Sequence, residues 1–239
     1  MREDGDIDPM DQRVAALEAA VEARTGDLKA ALDQSTALLH ELDHRVKNNL
    51  QLISSLMLMQ ARRAGDPAVR AALDSMVERL HAIATVHRHL FQSEDVQRFD
   101  LAEFVRDLVS DLAATAPPGL TFTLALAQAE APASRAASLA LLINELAVNA
   151  IRHGFPDGRA GRISIDIART DDRLRIEIAD DGVGMSGSAG GTREGGPGFG
   201  LTIVELLGRQ LQATIRRDPT ETGVRTTVVL PLVSVGGGR

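Results

Sequence analysis

Apolar positions in the first quarter of the chain recur every three or four residues. This spacing predicts one long helix over residues 11–63, because it returns side chains to one side of an α-helix. No proline interrupts the stretch, and Gly26 is its weak position. The apolar series is Leu28, Leu32, Leu39, Leu42, Val46, Leu50, Ile53 and Met57, with a polar gap at Ser35. Such a series is typical of a coiled-coil or helical-bundle seam.

A second helix is predicted over residues 67–92, after a break at Ala64–Pro67. Its apolar seam is Val69, Leu73, Met76, Leu80, Ile83, His87 and Leu90. Two such helices joined by a short turn form a hairpin that leaves one apolar face uncovered. We therefore expect a second copy of the chain to complete a four-helix bundle.

From residue 99 to residue 232 the pattern changes from long helices to mixed elements. Asp100 followed by Glu103 has the pattern of a helix N-cap. Helices are predicted over 101–113, 134–153 and 201–211, and strands over 120–126, 162–168, 174–179, 213–217 and 224–230. Helices on one face of a mixed sheet form an α/β sandwich, so the predicted fold class is α+β: a helical hairpin followed by that sandwich.

Composition narrows the functional classes. Aromatic residues make up 3% of the 239, and the net charge is −7, which argues against a nucleic-acid-binding surface. The absence of cysteine excludes a disulfide scaffold, a thiol nucleophile and cysteine-ligated zinc. No apolar run reaches the roughly 18 residues of a membrane span, and the charged N-terminus lacks a signal region. We expect a cytoplasmic protein.

His44 is predicted to face solvent. Each residue of an α-helix advances by about 100° around the helix axis. Measured from Val46, the other seam residues point within about 40° of the same direction, whereas His44 points about 160° away. Glu41 and Asn48 share this outer face. A neutral imidazole is nucleophilic near pH 7, and a carboxylate such as Glu41 can hydrogen-bond one ring nitrogen and leave the other to attack. A lone exposed histidine is more often an ordinary surface residue.

The predicted helix over residues 134–153 carries a run of polar residues near its end. Glu145 and Asn149 are four apart and therefore share a face. A carboxamide oxygen such as that of Asn149 is a suitable ligand for Mg²⁺. Arg152 and His153 follow one turn later, where they can meet phosphate charge. Taken alone, this is also the pattern of an ordinary amphipathic helix.

Two glycine motifs follow. The first, DDGVG at 180–184, comes directly after a predicted strand, where the Asp180 carboxylate can accept the amino hydrogen of adenine. The second, GPGFGL at 196–201, opens a helix whose N-terminus suits phosphate oxygens. Neither motif is a dinucleotide fingerprint or a P-loop. The candidate pocket residues are Gly182, Gly184, Gly196, Gly198, Gly200 and Leu201.

These motifs together resemble a known family. Residues 41–60, with the HRVKNN sequence at 44–49, and residues 86–91 resemble the phosphoacceptor region of sensor histidine kinases of the HRVKNN-box (HisKA_2/HWE-like) type. The three later motifs, in order, are similar to the N, G1 and G2 boxes of the GHKL (Bergerat) ATPase fold. That fold is shared by histidine kinases, gyrase and MutL proteins.

The resemblance implies the role of each site residue. His44 would be the phosphorylated residue, and Asn48 would stand where many kinases orient water for phosphatase chemistry. Asn149 would ligate Mg²⁺ and Asp180 would read adenine, while the glycines shape an ATP pocket. Glu145 would occupy the place of the general base in the ATP-hydrolysing relatives. Residues 185–195 would form the ATP lid.

The resemblance also implies a domain arrangement and partners. We expect an N-terminal signalling coiled coil at 1–35, a dimerisation and phosphoacceptor hairpin at 36–95, an ATP-binding domain at 99–232 and a disordered tail at 233–239. The implied activity is ATP- and Mg²⁺-dependent autophosphorylation of His44, then transfer to an aspartate of a response regulator. The partners would be that receiver domain, an upstream sensor domain or protein, and a second copy of the chain.

Other functions remain open at this point. The architecture also suits an ATP-independent histidine phosphotransfer protein or a response-regulator phosphatase. An ATP-driven clamp or a serine-directed anti-sigma kinase would share the ATP motifs without needing a hairpin that carries His44. A non-enzymatic coiled-coil adaptor would need neither the ATP motifs nor His44.

Overall fold

The computed structural model describes residues 9–92, 98–170, 172–184 and 199–232. Contacts divide the chain into two compact units, Met1–Asn49 and Leu50–Arg239. Helix α1 (Pro9–Arg63) runs through the division, so His44 belongs to the first unit. The predicted domain boundaries, which rest on sequence resemblance, remain predictions.

The long helix predicted over residues 11–63 is confirmed and begins two residues earlier, at Pro9. Its apolar seam is largely uncovered in the single chain. Leu28 and Leu32 are 65% and 66% exposed, and Leu39 and Leu42 are also exposed. An apolar stripe of this kind on a surface helix marks an interaction face.

Helix α2 (Pro67–Gln92) has the bounds that the sequence predicted. Its buried residues are Val77, Ala82, Thr85 and Val86. Counted at about 100° per residue, their face lies opposite the predicted seam, of which Val69 and Met76 are exposed. His87, which belongs to the predicted seam, is half-buried and stacks on Phe91, with 4.4 Å between the ring centroids. The periodicity thus identified one apolar face of α2 and missed the second.

A five-stranded mixed sheet forms the centre of the second unit. Its strands are β2 (Leu120–Leu126), β4 (Gly161–Thr170), β5 (Arg173–Asp180), β6 (Thr214–Pro219) and β7 (Val224–Pro231). The order is β2-β4-β5-β7-β6, with β2 and β4 parallel and every other pair antiparallel. All five strands were predicted within a few residues.

Two very short strands were not predicted. Strands β1 (Arg98–Asp100) and β3 (Glu130–Pro132) pair antiparallel in a small separate sheet. Three residues are too few to show alternation, so the sequence gives no signal for either strand.

Three helices cover the sheet: α3 (Leu101–Thr115), α4 (Ala133–Gly154) and α5 (Phe199–Gln210). Helix α3 packs on β2, α4 packs on β4, β5 and β7, and α5 packs on α4. The central strands bury alternate residues toward these helices: Ile163, Ile165, Ile167, Leu174, Ile176, Ile178, Val228 and Leu230. Alternating burial shows that one face of the sheet meets the helices, as the predicted α+β fold class requires.

Close backbone contacts fix the end of α4 against the sheet. The N–H of Val183 donates to the carbonyl of Gly154 at 2.9 Å. A Cβ added to Gly182 would lie 2.3 Å from that same carbonyl oxygen. A Cβ added to Gly223 would lie 2.0 Å from the carbonyl oxygen of Asp180. These glycines are therefore required for close packing, whereas Gly184 adopts a positive φ of 69°.

The predicted cap of α3 is confirmed, and it yields a stability prediction. Asp100 Oδ1 accepts from the N–H groups of Ala102 and Glu103 at 2.8 and 3.0 Å. Asp100→Ala removes this acceptor and should lower the free energy of unfolding by about 1 kcal/mol. Asp111→Ala, in the exposed last part of α3, is the control and should change stability little. Urea denaturation followed by circular dichroism measures both variants; equal stabilities would contradict the prediction.

Gly182→Ala should destabilise the second unit, because its Cβ collides with the backbone of Gly154. Overpacking costs roughly 1–3 kcal/mol, and backbone atoms yield less readily than side chains. Gly26→Ala is the control, since its Cβ meets no atom within 4 Å and lies inside a helix. Calorimetric unfolding should show a lowered midpoint for the first variant only. An unchanged midpoint for Gly182→Ala would mean that the crossing relaxes freely.

Candidate ATP site

A cavity of about 310 Å³ opens between α4, the sheet and the start of α5. Its walls are largely apolar, with a few polar side chains aimed into it, as in most small-molecule sites. The lining residues are Leu146, Asn149, Ala150, His153, Gly154, Ile178, Asp180, Gly184, Leu201, Arg217, Val224 and Thr226. The three predicted motifs therefore meet at one cavity, each contributing at least one residue.

Asn149 presents unused hydrogen-bonding capacity at this cavity. Within the described ranges, its Nδ2 is buried and has no hydrogen-bond partner. Buried amide groups are normally paired, and the two ends of the carboxamide are assigned rather than observed. The side-chain amide of Asn149 is therefore suited to bind a polar group of a ligand. Its oxygen would face a cation, or its nitrogen would face a phosphate.

The first turn of α5 lies directly beside this amide. A Cβ added to Gly200 would lie 3.7 Å from Asn149 Oδ1 and 3.1 Å from Glu145 Oε2. The absence of a side chain at Gly200 keeps the space next to Asn149 open. The free N–H groups and dipole of a helix N-terminus favour anions there.

These residues also fit a divalent cation that is bound together with phosphates. Among the residues that the structure describes, no cluster of three or more acidic or histidine side chains could hold a metal by itself. Mg²⁺ is commonly held by one or two protein oxygens together with substrate phosphates and water. Asn149 can supply such an oxygen.

Asp180 ends strand β5 and lines the cavity. Its Oδ1 accepts from the N–H of Gly182 at 3.0 Å, which fixes the direction of the carboxyl group. Burial raises the pKa of Asp180 above its ordinary value of 3.8, and the N–H groups of Gly182 and Val224 oppose this shift. The carboxyl group is thus fixed in direction and only partly desolvated, as a hydrogen-bond acceptor in a ligand pocket requires.

Two polar lining residues escaped sequence analysis. Thr226 lies on β7 between Ile178 on β5 and Arg217 on β6, so the three form one row across neighbouring strands. Desolvation lowers the pKa of Arg217 from its ordinary value, while the charge of Glu205 opposes the shift. The row depends on the strand order β5-β7-β6, which no local pattern reveals.

Glu145 is buried and ion-paired. The Arg79 guanidinium donates from Nε to Oε1 at 2.7 Å and from Nη2 to Oε2 at 2.9 Å. Arg152 was expected to meet phosphate, but it donates through Nη2 to both carboxylate oxygens of Glu78, at 3.0 and 2.9 Å. Arg152 is absent from the cavity wall, whereas His153 is part of it. Sequence analysis identified neither of the two partners on α2, Arg79 and Glu78.

His44 is exposed on α1, as the helical periodicity predicted. Glu41 does not stand unpaired beside it. Its Oε1 accepts from Arg45 Nε at 2.7 Å in an exposed ion pair. Asn48 is exposed one turn further along. The roles assigned to Glu41 and Asn48 remain predictions.

The rest of the predicted site falls outside the described residues. This applies to Gly196, to Gly198 and to the expected lid at 185–195. Gly200 and Leu201 are described and adjoin the cavity, Leu201 as part of its wall.

In the described ranges no helix has the length and apolar character that a membrane crossing requires.

Comparison with known proteins gives two family matches. Residues 41–116 match a family described as "Histidine kinase", and residues 108–228 match one described as "Histidine kinase-like ATPase domain". The first match contains His44 and α2, and the second contains Asn149, Asp180 and Gly200. The two matches follow each other in the order that the sequence motifs predicted.

Curated proteins that are similar to this chain are also named histidine kinases. The sensor histidine kinase PdtaS of Mycobacterium tuberculosis strain H37Rv is 32% identical over 207 residues, covering 84% of this chain and 41% of PdtaS. Blue-light-activated histidine kinase 2 of Erythrobacter litoralis is 26% identical over 209 residues, covering 84% of this chain and 59% of that protein. The chain thus spans about two fifths of PdtaS and three fifths of the second relative.

A solved structure supports the fold. The histidine kinase domain of the Erythrobacter litoralis EL346 blue-light activated histidine kinase superposes with a TM-score of 0.59 at 24% identity. The superposition covers 81% of this chain and 93% of that domain. With the ATP motifs gathered at one cavity and both segments matched in order, the chain belongs to the histidine kinase family and contains its phosphoacceptor segment and its ATP-binding ATPase domain.

Proposed function

We propose that this chain is the kinase core of a two-component system, which phosphorylates its own His44 with ATP and passes the phosphoryl group to a receiver-domain aspartate. The observation that carries the proposal is the meeting of Asn149, Asp180 and the first turn of α5 around one cavity. The same chain exposes His44 on a helix that matches the histidine kinase family.

Each cavity residue has a distinct binding role in this proposal. The apolar walls, including Leu146, Ile178 and Val224, would enclose the purine ring. The Asp180 carboxylate would accept from the adenine amino group, and Asn149 would supply an oxygen to Mg²⁺. The backbone N–H groups at the start of α5 would bind phosphate oxygens. Bound Mg²⁺ would neutralise the charge of the phosphates.

The transfer itself requires an unprotonated ring nitrogen on His44. That nitrogen forms a bond to the γ-phosphorus while the bond from this phosphorus to the β–γ bridging oxygen breaks. ADP leaves with the electron pair, and His44 retains the phosphoryl group. In the second step an aspartate oxygen of the receiver domain attacks the same phosphorus, and the imidazole leaves. The exposed position of His44 allows both partners to reach it.

The uncovered seam of α1 supports a homodimer. Leu28, Leu32, Leu39 and Leu42 lie at steps of four, seven and three residues, which keep them on one face of the helix, and all four are exposed. A second copy of the hairpin would bury this stripe in a four-helix bundle. The same helix would carry the input of a sensor domain or sensor protein to His44.

A labelling experiment tests the kinase proposal. With γ-labelled ATP, the protein should acquire a label that acid removes and base does not, as expected for phosphohistidine. His44→Gln removes the attacking nitrogen, and Asn149→Ala removes the proposed cation ligand, so both should reduce the label to background. His81→Gln, an exposed histidine on α2, is the matched control and should label normally. An acid-stable label, or a label that persists in His44→Gln, would sink the proposal.

Nucleotide affinity should depend on the protonation of Asp180. The carboxylate accepts the adenine hydrogen more strongly than the protonated acid does. Because burial raises the pKa of Asp180, ATP affinity should rise as pH increases through a value above 3.8. Without nucleotide, the stability of the protein changes with pH in the direction opposite to the change in ATP affinity. The protonated group favours folding below the unfolded pKa, and this contribution is lost as pH rises through the raised folded pKa.

The measurement is a titration of a fluorescent ATP analogue from pH 4 to pH 8. Asp180→Asn should lose most of the affinity and its pH dependence. Asp166→Asn, whose carboxylate pairs with Arg175 elsewhere on the sheet, is the control and should bind normally. Equal affinity for Asp180→Asn and the unaltered protein would exclude Asp180 as the adenine acceptor.

A further inference from the structure

Arg217 contributes a guanidinium to the wall of the ATP cavity, and no other arginine or lysine of the described chain lines it. It lies on the edge strand β6, opposite Thr226 of β7, which lies opposite Ile178 of β5. Neighbouring strands are about 5 Å apart, so the backbone of Arg217 is about 10 Å from that of Ile178 across the sheet. Arg217 therefore lies at the far side of the cavity from β5, the strand that ends at Asp180.

Exposure increases along this row of residues. Ile178 and Thr226 are 3% and 8% exposed, whereas Arg217 is exposed. The row thus runs from the buried floor of the cavity to its rim. A purine ring is stabilised by apolar burial, but phosphate groups are charged and costly to remove from water. Arg217 accordingly lies where the phosphates of a bound nucleotide leave the buried pocket, and away from the purine.

The guanidinium of Arg217 has no bonded counter-charge. Considering only the described parts of the chain, it makes neither a hydrogen bond nor an ion pair, and Glu205 of α5 acts on it from a greater distance. Arg135 provides the comparison. Desolvation lowers the pKa of both arginines, but Arg135 donates to the carbonyls of Pro231 and Leu211. Arg217 keeps all of its donors available for an anionic ligand.

Helix α5 brings a second positive end to the same side of the cavity. Leu201, in its first turn, lines the cavity beside Arg217, and Glu205 follows one turn later. The electrostatic effect of Glu205 on Arg217 shows that the start of α5 lies close to this guanidinium. The N-terminus of a helix favours anions. A phosphate between α5 and β6 would therefore be attracted from both sides.

We propose that Arg217 is a further nucleotide-binding residue, whose guanidinium donates hydrogen bonds to a phosphate of the adenine nucleotide held in this cavity. The inference deepens the proposed function and rests on its ATP site. A planar guanidinium can donate two parallel hydrogen bonds to phosphate oxygens, and it stays protonated throughout. Arg217 thus serves binding and takes no part in proton transfer to or from His44.

A pair of ligands that differ in phosphate tests the assignment. Arg217→Met keeps most of the aliphatic chain and removes the charge. Its affinity for ADP should fall roughly tenfold, because charge-assisted hydrogen bonds are lost, whereas its affinity for adenosine should not change. Titrations followed by amide NMR shifts of the labelled protein measure both ligands. An equal loss for adenosine and ADP would assign Arg217 to the purine or to the fold and overturn the inference.

The preceding residue supplies the matched control. Arg216 lies on the opposite face of β6, because side chains alternate along a strand, and its Nε pairs with Asp218 at 2.8 Å. Arg216→Met removes the same charge from the same strand and should bind ADP and adenosine as the unaltered protein does. A loss of ADP affinity in Arg216→Met equal to that in Arg217→Met would reduce the effect to net charge and contradict the assignment.

A charge series at position 217 separates a phosphate contact from a structural role. Affinity for ADP should decrease in the order Arg217→Lys, Arg217→Met, Arg217→Glu, since the last substitution places a carboxylate beside the phosphates. Affinity for adenosine should be the same in all three variants. Any other order for ADP, or an adenosine affinity that follows the same order, counts against a phosphate contact.

Kinetics distinguish failure of this inference from failure of the kinase proposal. Arg217→Met should raise the KM for ATP roughly tenfold and leave kcat for His44 labelling unchanged, as expected for a contact present before and during transfer. If the unaltered protein binds ADP but forms no phosphohistidine, the kinase proposal fails and the titrations still decide the role of Arg217. Normal ADP affinity in Arg217→Met overturns the inference even when His44 is labelled.

Discussion

The ATP cavity depends on the close crossing of backbone segments at the end of α4. Gly182 approaches Gly154 so closely that a Cβ on Gly182 would collide with the Gly154 carbonyl, and a Cβ on Gly223 would collide with the Asp180 carbonyl. This contact sets the distance between α4, which carries Asn149, and β5, which carries Asp180. Glycine at these positions thus fixes the width of the binding site, in addition to any role in loop conformation.

Sequence periodicity was sufficient to predict the helices and the long strands, because each of these elements has a local sequence pattern. The α3 cap at Asp100, the bounds of α2 and the strand at 120–126 all follow from short-range physics. The row formed by Ile178, Thr226 and Arg217 does not, since it arises from pairing between strands far apart in sequence. The pairing of Arg79 with Glu145 does not follow from short-range physics either, because the two residues are 66 positions apart in the chain. Asn149 and Asp180, which the motifs singled out, both line the cavity, whereas Arg152 pairs with Glu78 and is absent from the cavity wall.

Helix α2 shows why periodicity alone underestimates a helix with two partners. The regular three- and four-residue spacing drew attention to the seam, where Val69 and Met76 are exposed in the single chain. The opposite face uses smaller residues, including Ala82 and Thr85, and is the one that this chain buries. Small side chains permit close helix packing but contribute little to a hydrophobic pattern. A helix so built can belong to a bundle and to the ATP-binding domain at once.

The buried Arg79–Glu145 pair is better understood as a determinant of register than as a source of stability. Desolvating two charges offsets most of their attraction, and apolar replacements of buried pairs are often as stable or more stable. Removing one partner alone is costly, because the other is left charged and buried. Such a pair penalises other positions of α2 on α4, because a shifted α2 would leave Glu145 buried without its guanidinium partner. The pair therefore helps to set where α2 lies on the helix that carries Asn149.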